Sequence, residues 1–84
     1  MSTAEEQVTI DEIGELLHRV FPDIDDVTTT EFVTAGLMNS MSSLALVSLI
    51  EEEFDVRVSP LDMTPENFAS AEALTALVNR LLDE

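Results

Sequence analysis

Few residues in this 84-residue chain are equipped for chemistry. Cysteine is absent, so there is no thiolate nucleophile, no thiolate metal site and no disulfide. The lone histidine, His18, lies beside Arg19 in a helix-patterned stretch with no serine–carboxylate pair to serve, and it reads as a surface residue rather than a catalytic base. The two glycines, Gly14 and Gly36, are too far apart to form a phosphate-cradling loop. Asp23, Asp25 and Asp26 suggest calcium. An EF-hand loop begun at Asp23, however, needs glycine at position 28 and glutamate at position 34, where the chain has Thr28 and Thr34. These aspartates read as a solvated loop, and Glu51, Glu52 and Glu53 as the outer end of a helix. The remaining candidate is Ser40, at the start of an apolar, helix-patterned stretch. As a helix N-cap it has one of the commonest tasks a serine performs. As an exposed hydroxyl at the positive end of a helix dipole, it is also well placed to carry a phosphodiester. Physics alone favours the cap.

Three stretches have the spacing that positions such residues. Ile10, Ile13, Leu17, Val20 and Phe21 form the first stripe, within a helix expected over roughly residues 4–21. Thr9 with Glu12 spells a capping box; Thr3 with Glu6 offers an earlier start, Gly14 weakens the middle and Pro22 closes the end. The second helix is expected from Met41 to Phe54, with either Asn39 or Ser40 as its cap and Leu44, Val47, Ile50 and Phe54 as its inner stripe. The third runs from Ala71 to Leu82 behind a Ser70 cap, with Leu74, Leu77, Val78, Leu81 and Leu82 along one side. Thr64-Pro65-Glu66 predicts one helical turn over Pro65–Phe68. Asp55 to Ser59 alternates briefly but has no partner strand, and it reads as an extended connection.

The expected fold is therefore an all-α four-helix bundle, with three main helices and one short third helix, as one domain over residues 1–84. Its long first loop, from Pro22 to Asn39, exceeds the roughly 15 residues above which structureless connections are uncommon and tend to be functional. Ile24, Val27, Phe32, Val33 and Leu37 are the residues able to pin it.

The formal net charge of −15 repels nucleic-acid phosphate and anionic lipid, so nucleic acid is excluded as a partner. A hydrophobic content of 45% with clear periodicity argues for a folded chain rather than a disordered acidic one. Its longest apolar run is far too short for a membrane span, and the acidic start lacks the regions of a secretory signal. The expectation is a cytoplasmic monomer without membrane insertion.

With these elements in place, Ala35-Gly36-Leu37-Met38-Asn39-Ser40-Met41, followed by a helix ending Glu51-Glu52-Glu53-Phe54, resembles the acyl carrier protein family. The resemblance covers almost the whole chain and implies a small acidic helical bundle with a long first loop. It also implies that Ser40 receives 4′-phosphopantetheine from coenzyme A through a phosphopantetheinyl transferase. The chain is then not an enzyme: with no metal and no catalytic residue of its own, it holds acyl or aminoacyl groups as thioesters on that arm. An adenylating ligase or acyltransferase loads the cargo, and a downstream synthase or transferase receives it. Leu37, Met38, Asn39, Met41, Ala45, Glu51 and Glu52 are the implied partner-recognition residues.

Two departures from the family pattern refine this. Asn39 stands where the family usually has aspartate, which keeps the shape and capping ability but removes a charge. The outer face after the serine reads Ser42, Ala45 and Ser48, bare of charge until Glu51, where fatty-acid carriers usually place acids. With Phe54 to Leu61, the chain looks closer to D-alanyl carriers and to free-standing aminoacyl or peptidyl carriers, and the leaning is to the carriers of bacterial polyketide or nonribosomal peptide pathways. A D-alanyl or fatty-acid carrier of primary metabolism is the alternative within the family. The rival from another class is an acidic helical adaptor without a cofactor, in which Ser40 only caps its helix.

Overall fold

The computed structural model describes residues 7–83. Three α-helices, α1 (Ile10–Val20), α2 (Ser40–Phe54) and α3 (Ala71–Leu82), account for the regular structure with one 3-10 turn at Pro60–Asp62, and no strand occurs among the described residues. Helix α1 packs against both α2 and α3. The shared core takes Ile13, Leu16 and Leu17 from α1, Leu46, Val47 and Ile50 from α2, and Leu74, Leu77, Val78 and Leu81 from α3. Every buried side chain in it is apolar. Without disulfides, burial of this apolar surface is the main term holding the helices together.

The helix starts follow their caps. Thr9 accepts the Glu12 N–H (3.3 Å) and Glu12 Oε1 accepts the Thr9 N–H (2.9 Å), so α1 begins at Ile10. Residues 7–9 are non-helical, and the earlier part of the expected helix, with the Thr3–Glu6 start, lies outside the described residues. Ser70 Oγ accepts the Ala73 N–H (3.1 Å) and starts α3 as expected. The Asn79 amide grips Val8 at both backbone groups, donating to its carbonyl (3.0 Å) and accepting its N–H (2.6 Å), which fastens the chain before α1 to α3.

Three expectations need correction. Ile10 sits at the solvent-facing start of α1, and Leu16 is buried in its stead. In α2 the buried residues are Leu46, Val47 and Ile50, whereas Leu44 is 57% exposed. The run Leu44-Ala45-Leu46-Val47 is apolar on several faces, so period alone does not select the buried one. Residues 65–68 form a hydrogen-bonded turn, with the Phe68 N–H on the Thr64 and Pro65 carbonyls (3.2 and 3.3 Å), rather than a helix. The short helical element lies earlier, where Ser59 and Asp62 cap Pro60–Asp62 reciprocally (3.1 and 3.3 Å).

The long loop is ordered by a few contacts. Asp26 accepts the Thr28 hydroxyl at 2.8 Å, which holds its carboxyl below the ordinary aspartate pKa, and its carbonyl accepts the Thr30 hydroxyl at 2.8 Å. Where the loop crosses α1, a Cβ on Gly14 would come within 3.0 Å of Thr28 Cγ2, so the glycine that weakens the helix also lets the loop approach. Phe32 is fully buried and stacks on Phe21, with ring centroids 4.9 Å apart. Its N–H donates to the Ala69 carbonyl at 2.7 Å. We expect Phe32→Ala to destabilise the fold by about 3–5 kcal/mol in urea denaturation, and Phe32→Leu to cost clearly less; equal losses would mean that the ring volume is not what anchors the loop.

Candidate functional site

The site is built at the junction of the long loop and α2. After Phe32 the chain makes one helix-like turn and reverses at Gly36, whose φ of 75° is left-handed and suits glycine. The Gly36 N–H donates to the Val33 carbonyl (3.0 Å) and the Leu37 N–H to the Phe32 carbonyl (2.8 Å), the paired bonds of a Schellman closure. Leu37 then packs against the core, as that motif requires. The Met38 N–H joins the same Phe32 carbonyl at 3.1 Å, and Asn39 follows in extended geometry.

Asn39, not Ser40, is the N-cap of α2. Its Oδ1 accepts the Ser42 N–H at 3.0 Å, and Ser42 Oγ accepts the Asn39 N–H at 2.9 Å. Ser40 is therefore the first helical residue; its side chain is exposed and makes no hydrogen bond among the described residues. The cap reading of Ser40 is overturned by its neighbour. The first turn of α2 contains no acidic residue, and no residue from Phe32 to Ile50 is charged, so the positive end of the α2 dipole is left uncompensated beside Ser40.

A groove of about 370 Å³ opens next to Ser40. Ser40, Ser43 and Leu44 of α2 form one side, and Met38, Met63 and Phe68 contribute to the rest of its lining. Its lining includes no charged residue. Sequence reasoning missed Met63 and Phe68 as site residues because they come from the irregular segment before α3, which has no periodicity to read, and Leu44 because its apolar spacing places it in the inner stripe; nothing in the spacing singles out Ser43.

The other candidate residues divide by role. Met41 is 82% exposed, and Ala45 is also exposed. Leu37 and Met38 are half-buried and serve the core as well as the site. Glu51 is half-buried and its Oε2 accepts the Val58 N–H at 2.8 Å, so its carboxylate is engaged in fastening the extended connection after α2. Glu52 is exposed but stands about 18 Å along α2 from Ser40, at a rise of about 1.5 Å per residue.

The described residues thus place an exposed, unengaged Ser40 hydroxyl at the start of α2 beside an uncharged groove. The family model for the phosphopantetheine attachment site matches residues 7–78. The chain belongs to this phosphopantetheine-binding family, which carries covalently attached 4′-phosphopantetheine. No curated protein and no solved structure matches it significantly. The residues at the start of α2 fit such a group. An accessible hydroxyl oxygen is available for a phosphodiester, the helix dipole favours the phosphate charge, and the uncharged groove suits an amide-containing alkyl arm. If Asn39 caps α2, Asn39→Ala should lower stability by about 1 kcal/mol, while Ser40→Ala stays within about 0.5 kcal/mol of the parent. Thermal denaturation of the two variants checks this, and the opposite order would return the cap to Ser40.

Proposed function

We propose that the chain is a non-catalytic carrier domain that bears 4′-phosphopantetheine on Ser40 and presents a tethered acyl or aminoacyl group to partner enzymes. The observation that carries this is the exposed Ser40 hydroxyl, left free by the Asn39 cap at an uncharged helix N-terminus, within a chain of the phosphopantetheine-binding family. Neighbouring hydroxyls are less suited: Ser42 Oγ is engaged in the cap and Ser43 is half-buried. When bound, the group supplies the thiol that the cysteine-free chain lacks. Ser40 anchors it, and Met38, Leu44, Met63 and Phe68 offer its arm an apolar surface.

The transferase that modifies Ser40 docks on Asn39, Met41, Ala45 and the exposed edge of Leu37. An adenylating ligase or acyltransferase then charges the carrier, and a synthase or transferase unloads it, in the cytoplasm, with the carrier acting as a monomeric domain over residues 1–84. The bare outer face of α2 favours an aminoacyl or peptidyl carrier of polyketide or nonribosomal peptide type over a fatty-acid or D-alanyl carrier. An aminoacyl cargo would keep its ammonium in solvent, because the groove offers no carboxylate to meet it. No described helix is long and apolar enough to cross a membrane.

Incubation with coenzyme A and a broad-specificity phosphopantetheinyl transferase should add one phosphopantetheinyl group by intact mass, and Ser40→Ala should abolish the gain. No gain would favour the adaptor, and a gain that survives the substitution would sink the Ser40 assignment. Charging by a panel of adenylating enzymes then separates aminoacyl from fatty or malonyl cargo. The same assay tests recognition. Glu52 lies beyond the Debye length of about 8 Å at physiological salt, so Glu52→Gln should change loading kcat/KM by less than about twofold. Met41→Glu should lower it by about tenfold, as for a residue at the centre of an apolar contact. A large Glu52 effect with a silent Met41 would mean that charge, not apolar contact, guides the transferase.

A further inference from the structure

The residues at 39–43 spell two possible helix starts, of which the structure shows the one capped by Asn39. Asparagine and serine are nearly equal as N-caps, and Ser40 with Ser43 repeats the spacing of Asn39 with Ser42. In a helix begun one residue later, Ser40 Oγ would accept the Ser43 N–H and Ser43 Oγ would return the bond to Ser40. The hydroxyl of Ser40 would then be turned onto the backbone and engaged. The observed register avoids this through one side chain. Ser42 Oγ accepts the Asn39 N–H at 2.9 Å, and its proton has the Leu37 carbonyl (3.2 Å), Asn39 Oδ1 (3.2 Å) and the Asn39 carbonyl (3.3 Å) within reach. Through Leu37 it also ties the start of α2 to the Gly36 turn. Helix register, cap and loop closure therefore meet on a single hydroxyl, while Ser40 remains free.

We propose that Ser42 is the positioning residue of the modification site: it holds the Asn39 register and thereby prevents Ser40 from capping α2. The inference rests on Ser40 being the attachment residue. In the step it serves, Ser40 Oγ forms a bond to the pantetheine-side phosphorus of coenzyme A and the pyrophosphate bond breaks. Adenosine 3′,5′-bisphosphate leaves, and the hydroxyl proton passes to a base of the transferase. An oxygen already accepting a backbone N–H is a poorer and misdirected nucleophile for that step.

Ser42→Ala leaves the Asn39 cap with one hydrogen bond and the Ser40–Ser43 alternative with two. The competent fraction should fall, raising the KM for loading about fivefold with kcat nearly unchanged. Ser42→Gln, a neutral side chain that reaches the cap N–H from the same position, should restore the parent KM. Adding Ser43→Ala to Ser42→Ala should recover most of the loss relative to Ser43→Ala alone, because the competing box is then also broken. Amide hydrogen exchange supplies a readout independent of loading: protection at Asn39 should fall in Ser42→Ala while protection at Ser40 rises. If Ser42→Ala unfolds, Asn39→Gly breaks the same box, and because Asn39 also faces the transferase its readout is exchange: protection at Ser40 should rise. A parent-like KM in Ser42→Ala, or a loss that neither Gln nor the second substitution repairs, overturns the proposal. Failure of the parent protein to load at all instead overturns the Ser40 assignment, and the exchange pattern still reports the register.

Discussion

The carbonyl oxygen of Phe32 accepts two backbone N–H groups, from Leu37 and Met38, while the N–H of the same residue donates to Ala69, just before α3. Its ring fills the core against Phe21 at the end of α1. One residue in the middle of the long loop therefore joins α1, the segment entering α3 and the turn leading to α2. A loop of that length would otherwise carry a large conformational entropy and no fixed exit direction. With Phe32 in place, the Gly36 reversal is anchored at its base and Asn39 arrives where it caps α2. The accessibility of Ser40 is thus a consequence of core packing, transmitted through backbone hydrogen bonds over a few residues.

The charge is distributed to match. A formal charge of −15 spread uniformly would place acids around the helix start, where they would compete with an incoming phosphate for the dipole. None lies between Phe32 and Ile50. The acids lie instead on α1, in the loop around Asp26, at the end of α2 and around α3. Four of them perform local structural tasks: Glu12 completes the capping box of α1, Asp26 holds Thr28, Glu51 holds Val58, and Asp62 caps the 3-10 turn. Asp62 also meets Arg80 at 3.4 Å, but with the arginine side chain 54% exposed, that pair adds little to stability. The face around Ser40 is therefore neutral in a chain that is otherwise strongly acidic.

Much of this was legible in the residues, and the failures have physical causes. The Thr9–Glu12 and Ser70 caps work because a short polar side chain beside an apolar stripe has few alternatives. In the α2 stripe Val47, Ile50 and Phe54 do face the core and only Leu44 does not, because Leu44, Leu46, Val47 and Leu49 are all apolar and tertiary contact decides which are covered. Ser59-Pro60-Leu61-Asp62 carries the same cap-then-proline grammar as Thr64-Pro65, and the helical turn forms where Asp62 returns a bond to the Ser59 N–H and completes a reciprocal box. Glu51 appeared to be one of three equivalent acids until the chain folded back to bring Val58 to it. The motif around Ser40 was readable, but the second wall of its groove, Met63 and Phe68, comes from distant irregular chain.

The choice between Asn39 and Ser40 as the cap shows how a site can be made by what a residue is prevented from doing. Serine at a helix start tends to close the helix, and a hydroxyl used that way is withdrawn from solvent chemistry. Asparagine one position earlier takes over the capping with nearly equal strength and leaves the serine inside the first turn. What the fold must supply is one oxygen, facing outward at the positive end of a helix, with nothing of its own bonded to it. The loop and the Asn39 cap together leave that oxygen free, and the first turn of α2 carries no carboxylate beside it.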